Sequence, residues 1–115
     1  MAVRMKIKKL NSLEWVADFL SGQPSFCTRP MFGCLAVYVR GSLVLVLADK
    51  EDPWKGLLVC TSKEFHKKLQ KEVKGLGPHS VLGKWLYAPF SAKNFEEIVK
   101  KIISLIENKN LFIGV

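Results

Sequence analysis

The stretch Met31-Phe32-Gly33-Cys34-Leu35-Ala36-Val37-Tyr38-Val39-Arg40-Gly41-Ser42-Leu43-Val44-Leu45-Val46-Leu47 decides the fold. Two runs rich in aliphatic and aromatic residues flank Arg40-Gly41, a short turn containing glycine. That pattern predicts a β-hairpin. The second run is nearly continuous in apolar residues, as expected of a strand covered on both faces or central in its sheet. The most apolar segment of the chain, Leu35 to Ala48, is interrupted by Arg40-Gly41-Ser42 and is too short to span a bilayer.

Downstream of this hairpin, Asp49-Lys50-Glu51-Asp52-Pro53 reads as a polar turn and Leu57-Leu58-Val59-Cys60 as a third strand. Thr61, with Glu64 three residues on, is placed to cap a helix. Phe65, Leu69, Val73 and Leu76 share one arc of that helix, and Lys63, Lys67, Lys71 and Lys74 share the opposite arc. Gly75 and Gly77-Pro78 end it, and residues 77–84 read as a loop. A fourth strand is expected over Lys84-Trp85-Leu86-Tyr87-Ala88, halted by Pro89. Ser91 then caps a long helix from Ala92 to Glu107, apolar at Phe95, Ile98, Val99, Ile102, Ile103, Leu105 and Ile106.

Upstream, residues 22–30 read as a loop with Pro24 and Pro30. A first helix is expected over Ser12 to Leu20, capped by Asn11 with Glu14 as its capping-box partner and apolar at Leu13, Val16, Ala17 and Leu20. Residues 1–9 read as a basic arm or a short edge strand, and 109–115 as an apolar tail expected to dock on the body or on a partner. Helices and hairpin-linked strands in this order predict a single α+β domain over 1–115, with a small antiparallel sheet and about three helices.

The chain has 115 residues, 49% hydrophobic and 24% charged, an ordinary globular composition that excludes wholesale disorder. Lys and Arg number 18 against 10 Asp and Glu, a net charge of +8. Arg4, Lys6, Lys8 and Lys9 bring four positive charges to the first ten residues with no acid. A second excess lies over residues 63–74. Such a field attracts nucleic acid, an anionic membrane or an acidic protein without choosing among them. Three cysteines, Cys27, Cys34 and Cys60, are an odd number without a CxxC pair, which argues for a reducing, cytoplasmic setting over a secreted disulfide framework. Asn11, Glu14 and Asp18 interrupt any apolar signal segment after the basic arm.

Arg29-Pro30-Met31-Phe32-Gly33, followed by a hairpin ending in Ala48-Asp49, resembles the N-terminal domain of the TfoX/Sxy proteins. Trp85-Leu86-Tyr87-Ala88-Pro89 is similar to the late aromatic strand of those domains, and Phe95 to Glu107 to their closing helix. The likeness covers about residues 11–108. Cys34 stands where a second glycine often follows in the family motif, the segment Lys50 to Lys55 is longer than the usual turn, and this chain carries no counterpart of the family's separate C-terminal domain. The resemblance implies a compact α+β domain of the MmcQ/YjbR type, associated with regulation of competence genes, without catalytic residues to carry over.

The residues give the same emphasis. Arg4, Lys6, Lys8, Lys9, Lys63, Lys67, Lys71 and Lys74 are the candidates for phosphate contacts, where each neutralised phosphate would release counterions. Arg29 with the Met-Phe-Gly loop, and Leu111, Phe112 and Ile113 of the tail, are the candidates for protein contact, by strand addition or by burial. Phe32 is expected in the core. The cysteine and histidine spacings match no structural zinc pattern, no nucleotide-phosphate loop is present, and no cofactor is expected. Asp49, Glu51 and Asp52 in one turn lack a calcium-loop pattern. Cys27 beside Arg29, with His66 or His79 as base, is the one arrangement that nucleophilic catalysis offers, and His79 is expected to be solvated in its loop. The leading expectation is therefore a non-enzymatic regulatory or interaction module with an unidentified protein partner, a second copy of the chain being one form of it. Direct nucleic-acid binding is the alternative, a small cysteine- or histidine-dependent enzyme the third reading, and no membrane association is expected.

Overall fold

The computed structural model describes residues 11–115. Its fold is α+β. Strands β1 (Cys27–Met31), β2 (Cys34–Val39), β3 (Ser42–Asp49), β4 (Lys55–Val59), β5 (Gly77–Pro78) and β6 (Leu86–Pro89) form one antiparallel sheet in the order β1-β2-β3-β4-β6-β5. The helices are α1 (Glu14–Asp18), α2 (His66–Glu72) and α3 (Phe95–Glu107), with a 3-10 turn, Lys63–Phe65, leading into α2. Among the described residues no helix is long and apolar enough to cross a membrane.

β3 is central, and Leu43 to Ala48 are all buried, which explains its unbroken apolar sequence. On one face of the sheet Val37, Leu45, Leu47, Leu57, Val59 and Leu86 meet the three helices in the larger core. The other face carries small residues, Cys34, Ala36, Ala48 and Cys60 among them, beneath Trp54, Leu82, Trp85 and Tyr87. At Gly56, β4 and β6 approach so closely that a Cβ would stand 2.2 Å from the Ala88 carbonyl oxygen.

α3 buries Phe95, Ile98, Val99, Ile102, Ile103 and Ile106. Isoleucine and valine are modest helix formers, so tertiary burial holds this helix, at roughly 1.5–3 kcal/mol per large side chain. Asn94, not Ser91, precedes its first turn, and the Asn94 side chain donates to the Lys74 carbonyl at 3.2 Å. α1 is shorter than expected. The Asn11 carboxamide accepts from the Leu13 N–H at 2.8 Å and donates to the Leu47 carbonyl at 3.0 Å, so it ties the helix start to β3 where a capping box with Glu14 was expected.

The remaining elements also depart from expectation. Cys27 to Pro30 form a strand where a loop was expected. Met31 to Val39 is not one strand arm but two, split at Phe32-Gly33. α2 ends at Glu72, because Val73 turns to extended backbone with φ −126° and ψ 101°, so the lysines at 63 and 74 lie outside the α-helical segment. Thr61 caps no helix: its hydroxyl donates to the Phe112 carbonyl and so anchors the tail.

Candidate interaction surface

Two tight turns bracket β2, and both carry a large residue in the left-handed region. Phe32 and Gly33 have φ of +53° and +75°, and Arg40 and Gly41 have φ of +53° and +80°. Positive φ at both central residues is the type I′ hairpin turn, which favours Asn, Asp or Gly at the first position. Holding another residue there costs roughly 1–2 kcal/mol. At Arg40 the fold recovers that cost. Its guanidinium donates to the Ile106 carbonyl at 2.9 Å, to the Gln23 side chain at 2.7 Å and to the Glu107 carbonyl at 3.3 Å. A cation on the last carbonyls of α3 also meets the negative end of the helix dipole.

The Phe32 side chain has no such return. Its ring is 63% exposed, so the sequence-based placement in the core is overturned. The turn itself is held through the backbone: the Lys50 ammonium donates to the Phe32 carbonyl at 2.8 Å. Gly33 is favoured by its φ of +75°, and a Cβ there would push aside the Lys50 side chain that holds the turn.

Among the described residues β1, which leads into this turn, pairs with β2 alone at the sheet edge. Cys27, Thr28, Arg29 and Pro30 are all exposed, so none of the described residues covers either face of the strand. In a two-residue hairpin the residues flanking the turn exchange hydrogen bonds, and the pattern alternates outward. The register Met31↔Cys34, Arg29↔Ala36 and Cys27↔Tyr38 therefore leaves Thr28 and Pro30 facing away from the sheet. Pro30 has no N–H to offer, a common way to keep an edge from open-ended strand pairing. Arg29 lies on the other side-chain row, its guanidinium carbon 5.8 Å from the centre of the Tyr38 ring. On α1, the helix before β1, exposed Trp15 and Phe19 meet edge to face at 6.1 Å.

The tail belongs mostly to the fold. Ile113 is only 8% exposed and sits in the larger core. The half-buried Phe112 ring stacks on Phe65 at 4.9 Å, with the Lys68 ammonium 5.2 Å from its centre. Val115 and Leu43 exchange backbone hydrogen bonds at 3.0 and 3.1 Å, and Gly114 donates to the Cys60 carbonyl at 2.8 Å. The chain end thus continues the lane beside β3 that β4 leaves after Val59. Of the three tail candidates only Leu111, 88% exposed, is free for contact.

The structure separates the nucleophile and base candidates. Cys27 is exposed on β1, whereas Cys34 and Cys60 are buried, and burial pushes both of these thiols up. His79 is not solvated: it is 2% exposed. Its Nδ1 accepts from the Val81 and Leu82 N–H groups at 3.1 and 2.9 Å, so the ring proton sits on Nε2 and goes to the Pro53 carbonyl at 2.6 Å. Its ring lies between Trp54 and Tyr87, with centroids at 4.5 and 4.9 Å. Both nitrogens are spent on backbone, and the residue pins the 79–85 loop to the 50–54 loop. His66 Nε2 contacts the Lys84 carbonyl at 2.9 Å. Among the described residues no three His, Cys, Asp or Glu side chains converge as a metal site.

Lys63, Lys67, Lys71 and Lys74 are all exposed. Arg4, Lys6, Lys8 and Lys9 lie outside the described residues. The open strand and the strained Phe32 were missed by hydrophobic patterning, which has no signal where neither face is buried. Gly33 following an aromatic residue was the one available clue. No family model, no curated protein and no solved structure matches the chain.

Proposed function

We propose that this domain is a non-enzymatic interaction module that meets a protein partner along the β1–β2 hairpin. Phe32 carries the reading. A large aromatic side chain is held in left-handed backbone at the tip of the edge hairpin and is left mostly exposed, and a strained exposed residue of this kind is best explained by what it contacts. Arg40, in the same turn type, spends its side chain inside the fold, whereas Phe32 is held through its carbonyl by Lys50 and the Cys34 thiol while its side chain faces outward. Arg29 stacked over Tyr38 supplies a charged neighbour suited to an acidic or aromatic counterpart. Pro30 restricts the outer edge, so recognition would be led by side chains with Thr28 contributing limited backbone pairing. The TfoX/Sxy likeness read from the motifs belongs to this proposal, as a regulatory setting for the same contact.

The test compares the wild-type chain with R29E/F32D as baits, after circular dichroism shows that both are folded. A protein retained by the wild type and lost from the double variant is the expected result. A partner held equally by both would place the contact elsewhere.

A further inference from the structure

A second outward surface has different chemistry. α2 connects β4 to β5, and His66 joins it to the Lys84 carbonyl just before β6. Its buried side, Leu69 with Val73 and Leu76 beyond the helix end, is committed to the core. Its outer side is lysine. Lys67 and Lys71 stand one helical turn apart on α2, about 6 Å along the axis, with Lys63 on the preceding turn. Lys74 follows the helix end, and with Lys71 and Lys101 of α3 it lines one groove, which also holds Asn94, Glu72 and Glu97. Glu64 and Glu72 are the only acids among residues 63–74, against five lysines.

We infer that this face binds a nucleic-acid backbone through its phosphates, independently of the partner-binding hairpin. Charge complementarity supports it: Lys67 and Lys71 stand about 6 Å apart along the helix axis, close to two nucleotide steps of a strand at roughly 3.4 Å each along a duplex axis. Exposed Lys63 and Lys74 lie beyond the two ends of the helix. Lysine acts as a point charge and reads no base pattern, so binding is not sequence-specific. A membrane surface fits less well. An interfacial helix inserts its apolar face among the lipids, and here that face is already buried against the sheet. The hairpin is built from β1 and β2 and the lysine face from α2 and α3, so one molecule can hold a protein and a nucleic acid at once.

The experiment is fluorescence anisotropy of the full chain with labelled mixed-sequence DNA and RNA, single-stranded and duplex, over a salt series. Four lysines each neutralising one phosphate contribute about −3 to −4 to the slope of log affinity against log salt. K67E/K71E removes two of these contacts, so the slope becomes shallower by about 1.5–2 and affinity at low salt falls at least tenfold. The difference between proteins isolates this face from the cations at 4–9. A charge-matched control, K93E/K100E, lies outside the groove and is expected to lose much less. Equal losses in the two variants would reduce the effect to net charge and overturn the site, as would unchanged binding by K67E/K71E. Binding to anionic phospholipid vesicles without binding to DNA or RNA would overturn it in favour of a membrane surface.

Discussion

Phe32 and Arg40 occupy the same turn position with the same φ, and their different surroundings predict opposite responses to one substitution. Phe32→Asn relieves left-handed strain and loses little burial, so it is expected to raise stability by about 1 kcal/mol while weakening partner binding. Arg40→Asn relieves similar strain but removes the guanidinium from the Gln23 side chain, from the Glu107 carbonyl and from the Ile106 carbonyl, which keeps the Lys109 N–H, and is expected to lower stability by about 1–2 kcal/mol. Urea denaturation of the two variants checks both signs. His79 gives a second contrast at this scale. His79→Ala leaves two buried N–H groups and a cavity between Trp54 and Tyr87, with an expected loss of about 2–4 kcal/mol. His66→Ala, at a half-buried site with one backbone contact, is expected to cost under about 1 kcal/mol. A similar cost at both positions would contradict the role given to His79 as the pin between two loops.

Among the elements, the tail and the edge strand show how far the sequence could be read. The apolar 111–115 segment was expected to dock, and the body and a partner were equally open as its site. The backbone exchange with Leu43 settles it on the body, and that lane is visible only once β4 is seen to leave β3. Ile113→Ala is accordingly expected to cost about 2–4 kcal/mol and Leu111→Ala almost nothing, by chemical denaturation. β2, β6 and α3 were legible because burial imposes a period on their residues, and β3 and β4 because burial on both faces makes their apolar runs nearly continuous. β1 was not, because Cys-Thr-Arg-Pro buries neither face and its strand geometry comes entirely from pairing with β2. The cysteines make this partition measurable. Cys27 on the open strand should be the thiol that labels in the native protein at neutral to mildly alkaline pH. Cys34 and Cys60, buried and with both thiols pushed up by that burial, should label only on unfolding. Rapid native labelling of all three would mean that the second face of the sheet is more open than described.

For the whole molecule, the α+β class, the antiparallel sheet and the three helices followed from order and periodicity. The site followed only in part: Arg29 with the Met-Phe-Gly loop stood out as a contact candidate, but the exposure of Phe32 depends on which residues the finished fold leaves without a use. His79 illustrates the reverse: a histidine beside a proline in a polar loop looks solvated until the 50–54 loop folds over it. In the folded molecule the groups capable of chemistry are mostly occupied by structure, with His79 bound to backbone, two cysteines buried and Arg40 capping α3. A strained aromatic tip at the β1 edge and a lysine face on α2 and α3 remain outward. The tip is tested most directly by a photocrosslinking amino acid placed at Phe32 and, as a control of equal accessibility, at Lys100, with irradiation in the presence of native cell extract. A discrete protein adduct from position 32, absent from position 100 and abolished when R29E is added, is the predicted result. Equal adducts from both positions, or none from position 32, would contradict the hairpin as the partner-binding surface.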